Sequence, residues 1–260
     1  MRLRGKKHTI EVLEKQTDLV ILEPAKWKGR WHELFGNDRP IHIELGMGKG
    51  QFISRMSGNN PEINYLGMDM YDELLRKGSE KARRVWKEKG SDEVPNLFLV
   101  RGNVELLGEM FEDGELERIY LNFSDPWPKS KHAKRRLTHP RFLEKYKRAL
   151  NEKGEIHFKT DSLSLFEFSL NSFSDSLLQM RSISLDLHRD ELREDLVLTE
   201  YEAKFVGQGK PIYRLEAVIG SEAIRQHRER VASELKASSA RAAARQEAGL
   251  SADADDDDQA

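Results

Sequence analysis

Short apolar runs closed by Gly, Asn or Asp alternate along most of the chain with charged stretches whose apolar residues recur at helical spacing. Ile41–Leu45 reads as a strand ending in glycines, and Gln51–Met56 as the opening of a helix. Asn64–Met68 is a second strand, followed by helical spacing over Tyr71–Lys89. Asn96–Val100 is a third, with a helix near Val104–Phe111, and Arg118–Phe123 is a fourth. Pro140–Leu150 is helical with Gly154 as its stop, Glu155–Lys159 is a fifth strand, and Leu163–Asp175 is a helix. Ser182–His188 and Ile212–Ile219 are late strand candidates. Five strands alternating with helices predict a parallel, doubly wound α/β sheet with helices on both faces. The two late strands predict an antiparallel closing hairpin.

Three regions follow. Residues 1–40 form a basic N-terminal segment and lead-in containing Trp27, Trp31 and Phe35. Residues 41–219 carry the alternation, and 220–260 are a charged extension expected to be disordered: Arg225–Arg245 could form a solvated helix or none, and the acidic Ser251–Ala260 has too little apolar surface to offset its ordering entropy.

Composition narrows the chemistry. The 260 residues include no cysteine, which excludes disulfides, thiolate zinc sites and a cysteine nucleophile. No apolar run reaches membrane-spanning length, and no signal-peptide core follows the basic start, so a cytoplasmic protein is expected. The formal net charge of -2 hides local asymmetry: nine Lys/Arg face one acid, Glu144, between Lys129 and Arg148. A polyanionic partner is compatible with that local field.

Glu44-Leu45-Gly46-Met47-Gly48-Lys49-Gly50 joins the first strand to the first helix. Gly46, Gly48 and Gly50 let backbone amides approach a ligand at a helix N-terminus. The spacing is not the dinucleotide fingerprint, since Gln51 stands where that pattern has its third glycine. Glu44 is placed to hold a cationic ligand end. Asp69, ending the second strand, can accept ribose hydroxyls or cap the next helix. Asn103, after the third, can meet an adenine amine or serve as an N-cap.

The fourth strand ends in Asp125-Pro126-Trp127-Pro128-Lys129, where two prolines are expected to keep the backbone extended and Asp125 at the strand tip. Trp127 offers a stacking surface. The basic run Lys131, His132, Lys134, Arg135 and Arg136 reads either as an RNA contact or as a solvated charged face. The alternatives for Asp161 and Glu202 are a helix N-cap and a solvated loop acid. His132, His139 and His157 lack metal-ligand spacing, so no metal is expected.

Tyr120–Arg136 closely resembles the bacterial tRNA (guanine-N7)-methyltransferase family. So do Glu44–Gly50, Ile156–Asp161, Thr199–Glu202 and Gly209–Arg214, and the resemblance covers roughly residues 1–219 in consistent order. It implies a Rossmann-like class I methyltransferase fold with seven strands, and S-adenosylmethionine as methyl donor. It implies transfer to N7 of a guanine in tRNA, position 46 of the variable loop in the family. Cofactor residues carry over to Glu44, the loop glycines, Asp69, Asn103 and Asp125, with Asp125 also the catalytic candidate. Substrate residues carry over to Lys129, Asp161, Thr199, Glu200, Tyr201 and Glu202, and the basic run to RNA. Relatives often have Asp at the position of Asn103, and the extension past about residue 220 lies outside the usual family length. The resemblance implies no obligate protein partner, whether the chain is a monomer or a homodimer. Two alternatives remain at this point: an N-methyltransferase acting on another nucleic acid or a protein amine, and a non-catalytic RNA-binding relative.

Overall fold

The computed structural model describes residues 7–189 and 196–254. Eight strands form one sheet: β1 (Val20–Ile21), β2 (Ile41–Leu45), β3 (Asn64–Asp69), β4 (Leu97–Arg101), β5 (Leu116–Asn122), β6 (Leu150–Thr160), β7 (Gln179–Ser184) and β8 (Tyr213–Val218). Nine α-helices accompany them among the described residues: α1 (Lys7–Glu14), α2 (Trp31–Phe35), α3 (Gln51–Asn59), α4 (Asp72–Glu88), α5 (Leu107–Met110), α6 (Pro140–Ala149), α7 (Leu163–Asp175), α8 (Glu200–Val206) and α9 (Ser221–Ala254). The strand order is β1-β4-β3-β2-β5-β6-β8-β7. Strands β1 to β6 run parallel to one another, and β8 runs antiparallel between β6 and β7. After β2 the chain moves to one side through β3 and β4, then crosses to β5 on the other. Open parallel sheets bind ligands at the carboxyl ends of the strands flanking such a reversal.

Both sheet faces are covered, which accounts for strands such as β2 and β3 being buried at every position. Ile43, Leu45, Met68, Leu121, Phe142, Tyr146, Phe158 and Phe166 belong to one core, and Leu13, Phe52, Ile53, Tyr65, Leu75 and Leu99 to the other. The lead-in is built into these cores. Val20 and Ile21 pair with Leu99 and Val100, adding an edge strand to the seven expected. Fully buried Trp31 donates from Nε1 to the Met110 carbonyl at 2.9 Å and stacks on Phe111.

Three expectations are corrected. Gly154 does not stop α6: the chain passes from Ala149 directly into β6, and Gly154 lies inside that strand. A Cβ there would come within 2.7 Å of the Leu150 Cβ. The strand expected at Ser182–His188 is β7, Gln179–Ser184, since the chain reverses at Leu177 (φ 56°) and Arg181 turns its charge inward, masking the apolar alternation. The extension expected to be disordered from residue 220 is helical over Ser221–Ala254. It is rich in Ala, Arg and Glu, which favour helix intrinsically, and its first turn is anchored by the buried Ala223. The acidic residues Asp255–Asp258 and the first six residues lie outside the described residues.

Candidate active site

The carboxyl ends of β2, β3, β4, β5 and β6 bring the candidate residues to one edge of the sheet. The loop after β2 folds back on β3, with Gly46 and Met47 donating to the Met68 carbonyl at 2.9 and 3.0 Å. Gly46, Gly48 and Gly50 all have positive φ, and nothing lies within 4 Å of where a Cβ on Gly46 or Gly48 would sit. That open side exposes backbone to a ligand. Gly50 also lets α3 approach α4, since its Cβ would come within 3.0 Å of the Gly78 Cα.

Glu44 is almost fully buried. Its Oε1 accepts from Asn122 Nδ2 at 2.9 Å, while Oε2 is buried with no partner. Burial pushes the carboxyl up to about 8, against the Asn122 hydrogen bond and the charge of Lys159. An orphaned buried carboxylate oxygen beside an open glycine loop fits a ligand carrying an ammonium group. Asp69 accepts from Gly48 and Tyr71 backbone N–H groups, both at 3.1 Å. Burial raises its carboxyl above the usual range and the nearby charge of Asp125 adds to this, while the backbone donors oppose it. Asn103 is an N-cap, its side chain accepting from Glu105 N at 3.0 Å. It also lines a cavity of about 340 Å³ with Met70, Leu106, Met110, Glu23 and Pro24.

Asp125 is exposed past the tip of β5. The loop around it is not simply extended, as the prolines suggested: Phe123 (φ 50°) and Trp127 (φ 41°) both adopt the left-handed region. Aromatic residues stay there only when their surroundings enforce it, and such strain gathers at functional sites. Lys129, Lys131, Lys134 and Arg135 are exposed, and His132 is half-buried against Trp127. The Arg135 guanidinium covers the Trp127 ring at 4.8 Å, so that part of the indole is occupied. Arg136 differs from the rest of the basic run. It is buried, and it donates from Nε and Nη2 to the Pro126 and Trp127 carbonyls at 3.0 and 3.1 Å.

Asp161 follows β6 and is half-buried; the N-cap of α7 is Ser162, not Asp161. Thr199 caps α8 in a reciprocal capping box with Glu202. Glu202 is fully buried rather than a solvated acid: its Oε2 pairs with Lys159 Nζ at 2.6 Å and its Oε1 with His188 at 3.0 Å. Glu200 turns to the glycine loop, pairing with Lys49 at 2.9 Å and with Lys81 of α4. Tyr201 is exposed beside Phe123 and Phe205, forming an aromatic shelf at the strand tips.

Sheet pairing gathers a polar cluster that spacing alone did not show. Glu155, His157 and Glu216 place ligand-type atoms within 4.8 Å of one another. Arg118 and Arg181 pair with Glu155, and Arg181 and Arg214 with Glu216, so guanidinium groups already balance these carboxylates. Sequence reasoning also passed over Asn122, Lys159, Lys49, Lys81 and the cavity wall at Pro24, Met70 and Leu106. Position two residues before a strand-tip acid was the available signal for Lys159; the others depend on tertiary pairing.

Residues 38–215 match the family model described as "Putative methyltransferase". A tRNA (guanine-N(7)-)-methyltransferase of Bacillus licheniformis is 49% identical over 217 residues, covering 84% of this chain and 98% of the relative. One from Listeria monocytogenes is 52% identical over 217 residues, again covering 84% and 98%. Among solved structures, the 16S rRNA methyltransferase KamB superposes with a TM-score of 0.56 at 11% identity, covering 74% of this chain and 93% of that one. That likeness shows the class I methyltransferase fold alone.

Proposed function

This chain belongs to the family of tRNA (guanine-N(7)-)-methyltransferases, and we propose that it transfers a methyl group from S-adenosylmethionine to N7 of a guanine in tRNA. The observation that carries the reading is the row of carboxylates at the strand tips, Glu44, Asp69, Asp125 and Asp161, around an open glycine loop. Glu44 would hold the cofactor's ammonium, Asp69 the ribose hydroxyls, and the cavity at Asn103, Met70 and Leu106 the adenine. When bound, the cofactor supplies an electrophilic methyl on a sulfonium centre.

Guanine N7 carries an in-plane lone pair and no proton, so the chain needs no general base. Its work is positioning and electrostatics. Asp125 accepts hydrogen bonds from the guanine N1–H and amine, and its charge stabilises the purine as it becomes cationic. Asp161 reads another edge of the base, and Lys129 holds a phosphate or the guanine O6. Tyr201, exposed on its aromatic shelf, gives the unstacked base a flat surface. Lys131, Lys134 and Arg135 contact the RNA backbone. Among the described residues, no helix is long and apolar enough to cross a membrane, and the reading puts the protein in the cytoplasm with its tRNA.

Nucleoside analysis of tRNA from cells lacking this protein tests the proposal. Loss of 7-methylguanosine, restored by the wild-type chain, is expected. Unchanged 7-methylguanosine with another methylated product missing would favour the N-methyltransferase alternative.

A further inference from the structure

We propose that Arg136 is a positioning residue that holds Asp125 in place, and that it makes no contact with RNA. The inference rests on the methyltransferase reading. It starts from a contrast inside one basic run. Lys134 and Arg135 are exposed, whereas Arg136 is buried, and among the described residues no carboxylate pairs with it. Its positive charge is met by the carbonyls of Pro126 and Trp127, the two residues after Asp125, at 3.0 and 3.1 Å. A planar guanidinium can donate two such bonds from a fixed fork; an ammonium cannot reproduce that geometry.

The other side of the guanidinium lies over the Phe168 ring at 4.4 Å. Phe168 belongs to α7, the helix that begins two residues after Asp161. Thr138 ties the same strap to α7. The Ser169 and Thr138 hydroxyls are hydrogen-bonded at 2.8 Å, and the Ser172 hydroxyl donates to the Thr138 carbonyl at 2.5 Å. Arg136 therefore links the Asp125 loop to the helix whose start fixes Asp161. It also supplies the constraint that keeps Trp127 at φ 41°. Without the fork the peptide after Asp125 can relax, and the carboxylate loses its aim.

Arg136→Lys, Phe168→Leu and Arg135→Ala separate this role from RNA contact. Single-turnover methyl transfer at saturating S-adenosylmethionine and tRNA, tRNA affinity and its salt dependence are measured for each, with the wild type alongside. Arg136→Lys is expected to slow transfer on the order of 100-fold, with the tRNA Kd within about twofold and the salt slope unchanged. Phe168→Leu, which keeps the charge and both carbonyl partners, gives a smaller loss of the same kind and decides the matter should Arg136→Lys not fold. Arg135→Ala does the reverse, weakening binding and lowering the slope by roughly one. A wild-type rate in Arg136→Lys, or a loss that appears as weaker binding with a shallower slope, overturns the proposal. A wild type that transfers no methyl is a failure of the functional reading instead. A crystal structure of Arg136→Lys then still decides the positioning role: Trp127 leaves the left-handed region and Asp125 shifts, and an unchanged loop contradicts it.

Discussion

Lys49, between two glycines of the loop after β2, meets Glu200, in the first turn of α8, at 2.9 Å. The pair joins the proposed cofactor loop to the proposed substrate segment across 151 positions of sequence. Lys81 adds a second cation to the same carboxylate, and both lysines help hold Glu200 below its usual range against its partial burial. Exposed ion pairs contribute little to stability, about 0–1 kcal/mol, so the value of this one lies in coupling the two segments.

Glu200→Gln is therefore expected to leave the Tm nearly unchanged. It should reduce, by severalfold, any tightening of tRNA binding produced by S-adenosylhomocysteine. Titrating tRNA with and without that ligand measures it. Equal tightening in wild type and variant would remove the ion pair as the link.

Glu44 gives a pH prediction. Its carboxyl, ordinarily near 4.5, is pushed up to about 8 by burial. Between those values the folded chain holds a proton that the unfolded chain has lost, so this group's contribution to stability falls as pH rises from about 4.5 to about 8. Glu44→Gln should flatten that slope. An ammonium arriving at Oε2 favours the ionised form, so binding S-adenosylhomocysteine near pH 7 should release a proton. Calorimetry in buffers of different ionisation enthalpy reads the release, and 5′-methylthioadenosine, which lacks the amino group, should show none.

The buried Lys159–Glu202 pair behaves differently from the surface pair. Removing one partner leaves an uncompensated buried charge, which typically costs about 3–5 kcal/mol. Glu202→Leu should therefore lower the denaturant midpoint strongly, and Lys159→Met/Glu202→Leu should recover much of the loss. His188 also bonds Glu202, so the recovery is expected to be incomplete. Equal destabilisation in single and double variants would contradict the pairing argument.

The exposed cations make a salt prediction. Replacing Lys131, Lys134 and Arg135 together by Ala should weaken tRNA binding and lower the slope of log K against log salt by roughly two to three. An unchanged slope would take these side chains out of the interface.

Much of this was legible in one dimension. The parallel strands announced themselves as apolar runs because both sheet faces are covered, and the acids at their ends fell at the strand tips. Asp69 and Asp125 were placed by the same logic. Other features needed the third dimension. Arg135 and Arg136 are adjacent and chemically identical, yet one covers Trp127 from solvent and the other is buried against Phe168 of α7. For Glu202 the loop-acid alternative stayed open because its partner, Lys159, lies on a strand 43 residues earlier. The start of β7 was hidden by Arg181, whose charge is met by Glu216 on the adjacent β8 and Glu155 on β6 beyond it. For α9 the helix over Arg225–Arg245 stayed only one of two readings, because a helix meets its own backbone hydrogen bonds and needs no apolar periodicity to announce it.

The most direct measurement is transfer of a labelled methyl from S-adenosylmethionine to an unmodified tRNA transcript by the purified chain, followed by digestion to nucleosides. The account predicts label in 7-methylguanosine with the wild type and almost none with Asp125→Ala, at unchanged tRNA affinity. Label in any other nucleoside, or full transfer by Asp125→Ala, would contradict it.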